Sequence, residues 1–348
     1  MVHVKISELE PGMSVESVYL IQSLEKRQRR SGEAYVALVL QDKSGTIQTV
    51  MWENARKLLR GEIVAEDFVK VSGDVGLYNN QLQLTLRSVE KVADDKVDLE
   101  QFLPHSKRSV DEMQAELRQA IESVKAPHLK ALLKSFFDDA EFLDAFSRAP
   151  SAMSMHQAYI GGLLEHTLAV LRVAHAIGEL YPPYDRDLLT TGVLLHDMGK
   201  IREFAYKRAI RYTSLGRLLG HITISFCLVD KKIDTIPDFP QETRIMLLHL
   251  LLSHHGLKEW GSPRRPKTLE ALLLHYADYI DAYLSTYRET TERARERGEL
   301  WTDYQRMFER FLFAGLPDAL DETQQRRLWA ELLRECPGND EMPDKNTR

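Results

Sequence analysis

Cysteine is almost missing from this chain. Cys227 and Cys336 are the only two in 348 residues, far apart and without metal-type spacing. That excludes a disulfide framework and leaves two reduced bystander thiols. No apolar run approaches the roughly 20 residues that cross a bilayer, so no membrane span is expected. The opening MVHVKISELEPG lacks a basic start and an apolar stretch before a small-residue cleavage site, and a cytoplasmic protein is expected. Nor is there an excess of positive charge. The 46 Lys and Arg against 52 Asp and Glu leave a formal charge of −6, so any nucleic-acid contact has to come from a local groove. No internal repeat or low-complexity segment occurs. What remains is an ordinary composition, 43% hydrophobic and 28% charged, in a chain long enough for two cores.

The two halves differ in class. Between residues 13 and 90 strand signals dominate: Ser14 to Leu24, Ala34 to Leu40, and Thr46 to Trp52 after the turn Asp42-Lys43-Ser44-Gly45. A short helical stretch, Asn54 to Leu59, precedes Phe68 to Leu77, a turn at Tyr78-Asn79-Asn80, and the alternating Leu82, Leu84 and Leu86. Five strands with a helix after the third, together with Val39-Leu40-Gln41-Asp42-Lys43-Ser44-Gly45-Thr46-Ile47, resemble an OB-fold barrel. Tyr35, Trp52 and Tyr78 are candidates for base stacking, and Lys26, Arg27, Arg29 and Arg30 form a basic turn between strands one and two where phosphates could be met. Each has a plain alternative, since strand aromatics commonly pack across strands and hairpin loops are commonly charged. The expected division is a barrel over 1–95, a charged surface linker over 96–110, an all-α bundle over 111–320, and a C-terminal helix and polar tail over 321–348.

Nine of the 12 histidines fall between His156 and His275. Imidazole and carboxylate donors suit divalent first-row metals, and such a metal can turn bound water into a nucleophile. His166 lies early in an apolar helix reaching about Leu180. The pattern Leu189, Val193, His196 and Lys200 predicts one face of a helix over 187–200, with Asp197 about 100° round from His196. Both could reach an ion against that helix. A carboxylate has two oxygens, so Asp197 can bridge two metals and is the expected central ligand. His221 opens a helical run after Gly216 and Gly220, His254-His255-Gly256 closes the helix over 245–252, and Asp278 lies on the helix over 272–282, with Asp281 one turn on. A single histidine on an apolar face is usually a core or surface residue, but a buried His-Asp pair needs a charge partner or a metal. The same geometry sets aside His175, about 180° from His166, and His249, about 140° from His254. His275, one turn before Asp278, could orient a ligand.

The series His166, His196-Asp197 and Asp278 resembles the defining pattern of HD-domain metal-dependent phosphohydrolases, and His221 with His254-His255 resembles its two-metal versions. Tyr159 through Thr167, Leu194 through Lys200, Leu218 through Ile222, and Ser253 through Gly256 followed by Glu259-Trp260-Gly261-Ser262-Pro263 tighten this to YhaM-type 3'-5' exoribonucleases, from about residue 5 to the segment 301–311. That resemblance implies an OB-fold threading single-stranded RNA or DNA into the helical domain, hydrolysis assisted by two divalent ions with manganese favoured over iron, cobalt or zinc, release of nucleoside 5'-monophosphates, and a homo-oligomer. It further implies His166, His196, Asp197 and Asp278 around one ion, Asp197, His221 and His254 around a second, and His255 near the phosphate. Lys200, one turn beyond Asp197, could meet a phosphate oxygen, completing a catalytic set of Asp197, Lys200 and His255. Two positions depart from the family: Leu215 stands where an acid is common, and Gln157 where a second histidine often follows His156. Two other readings stay open: an HD phosphohydrolase of free or cyclic nucleotides, and a non-catalytic binder of single-stranded nucleic acid.

Overall fold

Strand β1 (Ser14–Gln28) runs antiparallel to β2 (Ala34–Asp42), which pairs with β3 (Gly45–Met51). Next come β4 (Phe68–Tyr78) and β5 (Gln81–Val92), and the five strands close a barrel in the order β1-β2-β3-β5-β4. The computed structural model describes residues 3–28, 34–52, 62–78, 81–93, 96–97, 101–102, 105–153, 159–206 and 210–315, with short pieces between 323 and 330. Closure depends on two non-local pairings: β3 meets β5 in parallel from Gln48↔Gln83 to Val50↔Thr85, and β4 meets β1 from Ser14↔Asp74 to Leu20↔Phe68. Period-2 alternation drives it. Val36, Leu38 and Leu40 of β2 are buried while the residues between them are half-exposed, and they join Tyr19, Ile21, Met51, Val71 and Leu84 in the barrel core.

The turn between β2 and β3 is set by Asp42. Its Oδ1 accepts from Ser44 N (2.7 Å), Ser44 Oγ (2.6 Å) and Gly45 N (3.2 Å), and its Oδ2 from Ile6 N (2.8 Å), so a carboxylate only 2% exposed is fully hydrogen-bonded. The expected helix over 54–59 and the residues Asn79 and Asn80 lie outside the described residues. β1 and β5 outrun their expected ends because their terminal residues carry no strict apolar alternation: the end of β1 is mostly solvent-exposed, and in β5 only Val89 and Val92 turn inward. The charged linker is not simply a surface strand of chain. Phe102 is 2% exposed and packs 5.1 Å from Phe68, while the Gln101 carbonyl accepts from Lys43 N (2.9 Å). A large apolar ring gains more from burial than its charged neighbours lose.

Beyond the linker the chain is helical: α1 (Val110–Ser123), α2 (Pro127–Phe137), α3 (Ala140–Arg148), α4 (Gly162–Leu180), α5 (Arg186–Leu195), α6 (Lys200–Glu203), α7 (Ser214–Ile233), α8 (Gln241–Ser253) and α9 (Leu269–Glu296). Between α6 and α7 lies a short antiparallel pair, β6 (Phe204–Ala205) with β7 (Arg211–Tyr212). Leu164 and Leu168 of α4, Leu189 and Val193 of α5, Leu247 and Leu251 of α8, and Leu274 of α9 share one core. Asp139 and Asp185 cap α3 and α5 with their side chains, and Thr213 does so for α7.

One expected helix is broken. The run over 187–200 ends at Leu195, a turn covers 196–199, and α6 starts at Lys200. Backbone bonds there step back three residues, Met198 N to Leu195 O (3.4 Å) and Lys200 N to Asp197 O (2.9 Å), so His196 and Asp197 sit in a tightened turn rather than on a helical face. Contacts divide the chain into two compact units, Met1–Asp281 and Ala282–Arg348. In the second, Phe308 packs against the rings of Tyr283 (4.4 Å) and Tyr287 (6.0 Å), and isolated bridges join Trp301 to Phe313 and Gln305 to Arg310. No helix among the described residues is long and apolar enough to cross a membrane.

Candidate metal centre

Four helices and one turn bring the histidine and aspartate series together. α4 supplies His166, and the 196–199 turn supplies His196 and Asp197. His221 comes from α7, His254-His255 from the end of α8, and Asp278 and Asp281 from α9. Asp197 is central. Its Oδ2 lies 3.4 Å from both His166 Nε2 and His196 Nε2, whereas its Oδ1 lies 3.3 Å from His221 Nε2 and 3.6 Å from His254 Nε2. Asp278 Oδ1 joins the first side, 3.2 Å from His166 Nε2 and 4.0 Å from His196 Nε2. His221 reaches this point because α7 kinks at Gly220, whose φ of 70° suits a residue without Cβ.

Every histidine of the cluster has its Nδ1 committed elsewhere. His166 Nδ1 donates to Asp281 Oδ2 (2.7 Å), His196 Nδ1 to the Val193 carbonyl (2.7 Å), and His221 Nδ1 to Glu203 Oε2 (3.0 Å). His254 Nδ1 donates to the Leu251 carbonyl and His255 Nδ1 to the Trp260 carbonyl, both at 2.8 Å. Such bonds orient each ring so that Nε2 faces the centre, where the neutral imidazole offers a lone pair. The Nε2 atoms of His196, His221 and His254 and Oδ1 of Asp197 are buried and have no hydrogen-bond partner among the described residues. Burying one polar group unsatisfied costs about 1–3 kcal/mol, so four in one place mark a site built for a cation. Ligand atoms of His166, His196 and Asp197 lie within 4.8 Å of one another, as do those of His221, His254 and His255. Both donor sets suit a divalent first-row ion.

Neighbouring charges hold one another ionised within the cluster. Burial alone would raise the Asp197 carboxyl, but the Lys200 ammonium, 2.5 Å from Oδ2, and the neighbouring imidazoles hold it well below the usual carboxylate range. Lys200 is only 8% exposed, and against burial Asp197 raises its pKa. His166 follows the same logic: burial opposes its charge, while Asp197, Asp278 and Asp281 push its pKa well up. His255 goes the other way, down to about 4, through burial and the adjacent His254, which keeps its imidazole neutral near pH 7.

Glu203 was not among the residues the sequence singled out. It is 6% exposed on α6 and accepts from the backbone N of His221 (3.0 Å) as well as from its ring. Sequence offers one faint signal, an acid three residues beyond the basic Lys200 and next to apolar Phe204. Glu203→Gln lowers divalent-ion affinity by about 10- to 100-fold, the usual cost of losing a carboxylate behind a ligating imidazole; titration calorimetry with Mn²⁺ measures it. His275 bonds the backbone, its Nδ1 donating to the His254 carbonyl (2.7 Å). His175 and His249 are engaged with Thr190 (2.9 Å) and with the backbone N of Lys267 (3.0 Å). Leu215 is 43% exposed in the first turn of α7, and Gln157 lies outside the described residues.

On the barrel, Lys26 and Arg27 lie on β1 opposite Val36 and Tyr35 of β2 rather than in a turn, because β1 runs on to Gln28. Tyr35 packs on Trp52 with ring centroids 4.5 Å apart, and Trp52 remains 37% exposed. Exposed Arg27, half-buried Tyr35 and exposed Trp52 thereby form one group on the barrel surface. Tyr78, 62% exposed, ends β4 at the β4–β5 hairpin and is not part of that group. Arg29 and Arg30 lie outside the described residues.

A closed five-stranded barrel followed by helices that converge on His166, His196-Asp197 and Asp278 defines an HD-domain protein carrying an OB-fold. The HD domain model matches residues 163–283, and the model of the OB-fold nucleic acid binding domain matches residues 20–92. The 3'-5' exoribonuclease YhaM of Bacillus subtilis is 36% identical over 289 residues, which is 82% of this chain and 90% of the relative, and YhaM of Bacillus velezensis matches to the same extent. The chain belongs to the YhaM family of 3'-5' exoribonucleases. Among solved structures, the second OB-fold domain of replication protein A from Methanococcus maripaludis is 24% identical over 26% of this chain and 95% of that one, with a TM-score of 0.22.

Proposed function

We propose that this chain removes nucleoside 5'-monophosphates from the 3' end of single-stranded RNA, using two divalent ions, manganese foremost. The observation that carries the reading is Asp197: its two oxygens face two separate imidazole groups, His166 with His196 and His221 with His254. His166, His196, Asp197 and Asp278 would hold one ion, and Asp197, His221 and His254 the other. Divalent ions bound there supply Lewis acidity at the phosphate and lower the pKa of water. The chain's own groups do the rest. Lys200, already paired with Asp197, is the cation within reach of a phosphate oxygen, and neutral His255 lines the side of the phosphate. Water adds to the terminal phosphorus, the bond to the 3'-oxygen breaks, and the shortened strand leaves with a 3'-hydroxyl.

Arg27, Tyr35 and Trp52 would hold the strand on the barrel, Arg27 at a phosphate and the rings under bases. Lys26, Arg29 and Arg30 belong to the same proposed interface, and Tyr78 at the β4–β5 hairpin is a separate stacking candidate. Single-stranded DNA is the second substrate class such a groove admits, and the enzyme would act in the cytoplasm as a homo-oligomer. End-labelled RNA incubated with Mn²⁺ and with chelator is the test. Stepwise shortening from the 3' end with mononucleotide release is expected in Mn²⁺ and none in chelator; intact RNA in both, or internal cuts, refutes the proposal. Trp52→Ala weakens single-stranded RNA binding in chelator by about 1–3 kcal/mol, the worth of one stacked base, as read by fluorescence anisotropy.

A further inference from the structure

The loop between α8 and α9 places an aromatic platform beside the metal centre and carries a set of cations, and nothing in the reading above uses them. Trp260 ends a short 3-10 turn (Lys258–Trp260), and its indole lies flat on Tyr279, with centroids 5.3 Å apart and planes 5° from parallel. With that face covered, Trp260 is still 48% exposed. The platform is tied to the site at both ends. Tyr279 follows the ligand candidate Asp278 in α9, and the Trp260 carbonyl accepts the Nδ1 proton of His255.

The loop is also held firmly. Ser262 N donates to the Leu257 carbonyl (3.1 Å), Ser262 Oγ to the Arg264 carbonyl (2.7 Å), and Arg264 N to the Leu252 carbonyl (3.2 Å), with Ser262 only 3% exposed. The same loop, 257–268, carries Lys258, Arg264, Arg265 and Lys267 against a single acid, Glu259. All four cations are exposed and in no ion pair among the described residues.

An exposed indole backed by a parallel ring, pinned one hydrogen bond from His255 and carried on a loop with four exposed cations in no ion pair among the described residues, matches a nucleotide better than an apolar partner. The open π-face takes a base and the cations take phosphates. Stacking also suits an exonuclease, because every base has a π-face and none is refused. We propose that the 3'-terminal base stacks on Trp260, with Tyr279 behind it and Arg264 and Arg265 toward the adjoining phosphates, so that this platform positions the terminal phosphodiester at the metal centre. The assignment rests on the exoribonuclease reading and adds to it the residue that receives the end of the strand.

The experiment uses full-length protein and single-stranded RNA carrying 2-aminopurine as its 3'-terminal base. Binding is read in chelator, where no turnover occurs. Wild type quenches the 2-aminopurine fluorescence, Trp260→Ala does not, and Trp260→Phe, which keeps a stacking ring, restores the quench. In Mn²⁺ the KM of Trp260→Ala for RNA rises about 5- to 150-fold, the equivalent of one stacked base, and a loss of kcat/KM carried by KM is the mark of lost binding. A quench that survives Trp260→Ala but vanishes in Trp52→Ala overturns the proposal, since the terminal base would then lie on the barrel. So does an unchanged KM. Failure of wild type to release mononucleotides in Mn²⁺ would instead defeat the exoribonuclease reading, and the quench in chelator judges Trp260 independently of it.

Discussion

Asp197→Asn lowers mononucleotide release from single-stranded RNA by about 10³-fold, the upper range for removing one electrostatic group at a reacting centre. In chelator it also lowers stability by about 3–5 kcal/mol, the cost of breaking a buried ion pair from one side. The second effect follows from burial. Asp197 is 2% exposed and Lys200 8% exposed, with the ammonium 2.5 Å from the carboxylate, so the amide leaves Lys200 as a buried charge without its main counterion. Asp197→Asn combined with Lys200→Met therefore recovers most of the stability and none of the activity. Urea denaturation and product release measured on both variants separate the two roles. Activity of the single variant within about tenfold of wild type would remove Asp197 from the centre of the site, since even outer-shell partners of a metal site cost that much.

Gly199→Ala gives the second large loss, for a reason of space alone. Gly199 has helical torsions, φ −62° and ψ −20°, that any residue adopts. A Cβ there would lie 2.3 Å from the His221 carbonyl oxygen and 2.9 Å from both N and Oγ of Ser225, whose Oγ accepts from Gly199 N (2.8 Å). The close approach presses the turn holding Asp197 onto the helix holding His221. Forcing them apart costs about 1–3 kcal/mol in overpacking, and a misplacement on the order of 1 Å costs about 100-fold in rate. Thermal unfolding and RNA turnover measure the two parts. Gly76→Ala on β4 is the control, because nothing lies within 4 Å of its added carbon; equal losses at both positions would contradict the spatial argument.

The outline of both folds was legible because apolar periodicity is local. Val36, Leu38 and Leu40 announce a strand facing a core, and Leu189 with Val193 a helix doing so. The parallel pairing of β3 with β5 has no local mark and needs the fold to be seen. The break after Leu195 was hidden for a related reason: apolar spacing runs on through Met198, while the change to bonds spanning three residues depends on how closely Gly199 approaches α7. His166, His196-Asp197 and Asp278 could be picked out by their order, and the two oxygens of a carboxylate made Asp197 the expected bridge; which oxygen faces which imidazoles, Oδ2 toward His166 and His196 and Oδ1 toward His221 and His254, is set only by the fold. Glu203 escaped because its role is a contact with His221, 18 residues away, and a glutamate on a helix usually faces solvent. Phe102 escaped because the charges around it describe a solvated segment.

The imidazoles of the cluster are each tethered by their far nitrogen, to Asp281, Val193, Glu203, Leu251 or Trp260. Folding has thus already done the orienting that an incoming ion would otherwise have to impose, and ion capture meets rings that need not rotate. The expected consequence is that chelation removes turnover and added divalent ion restores it without a slow refolding phase, which stopped-flow activity and circular dichroism would follow.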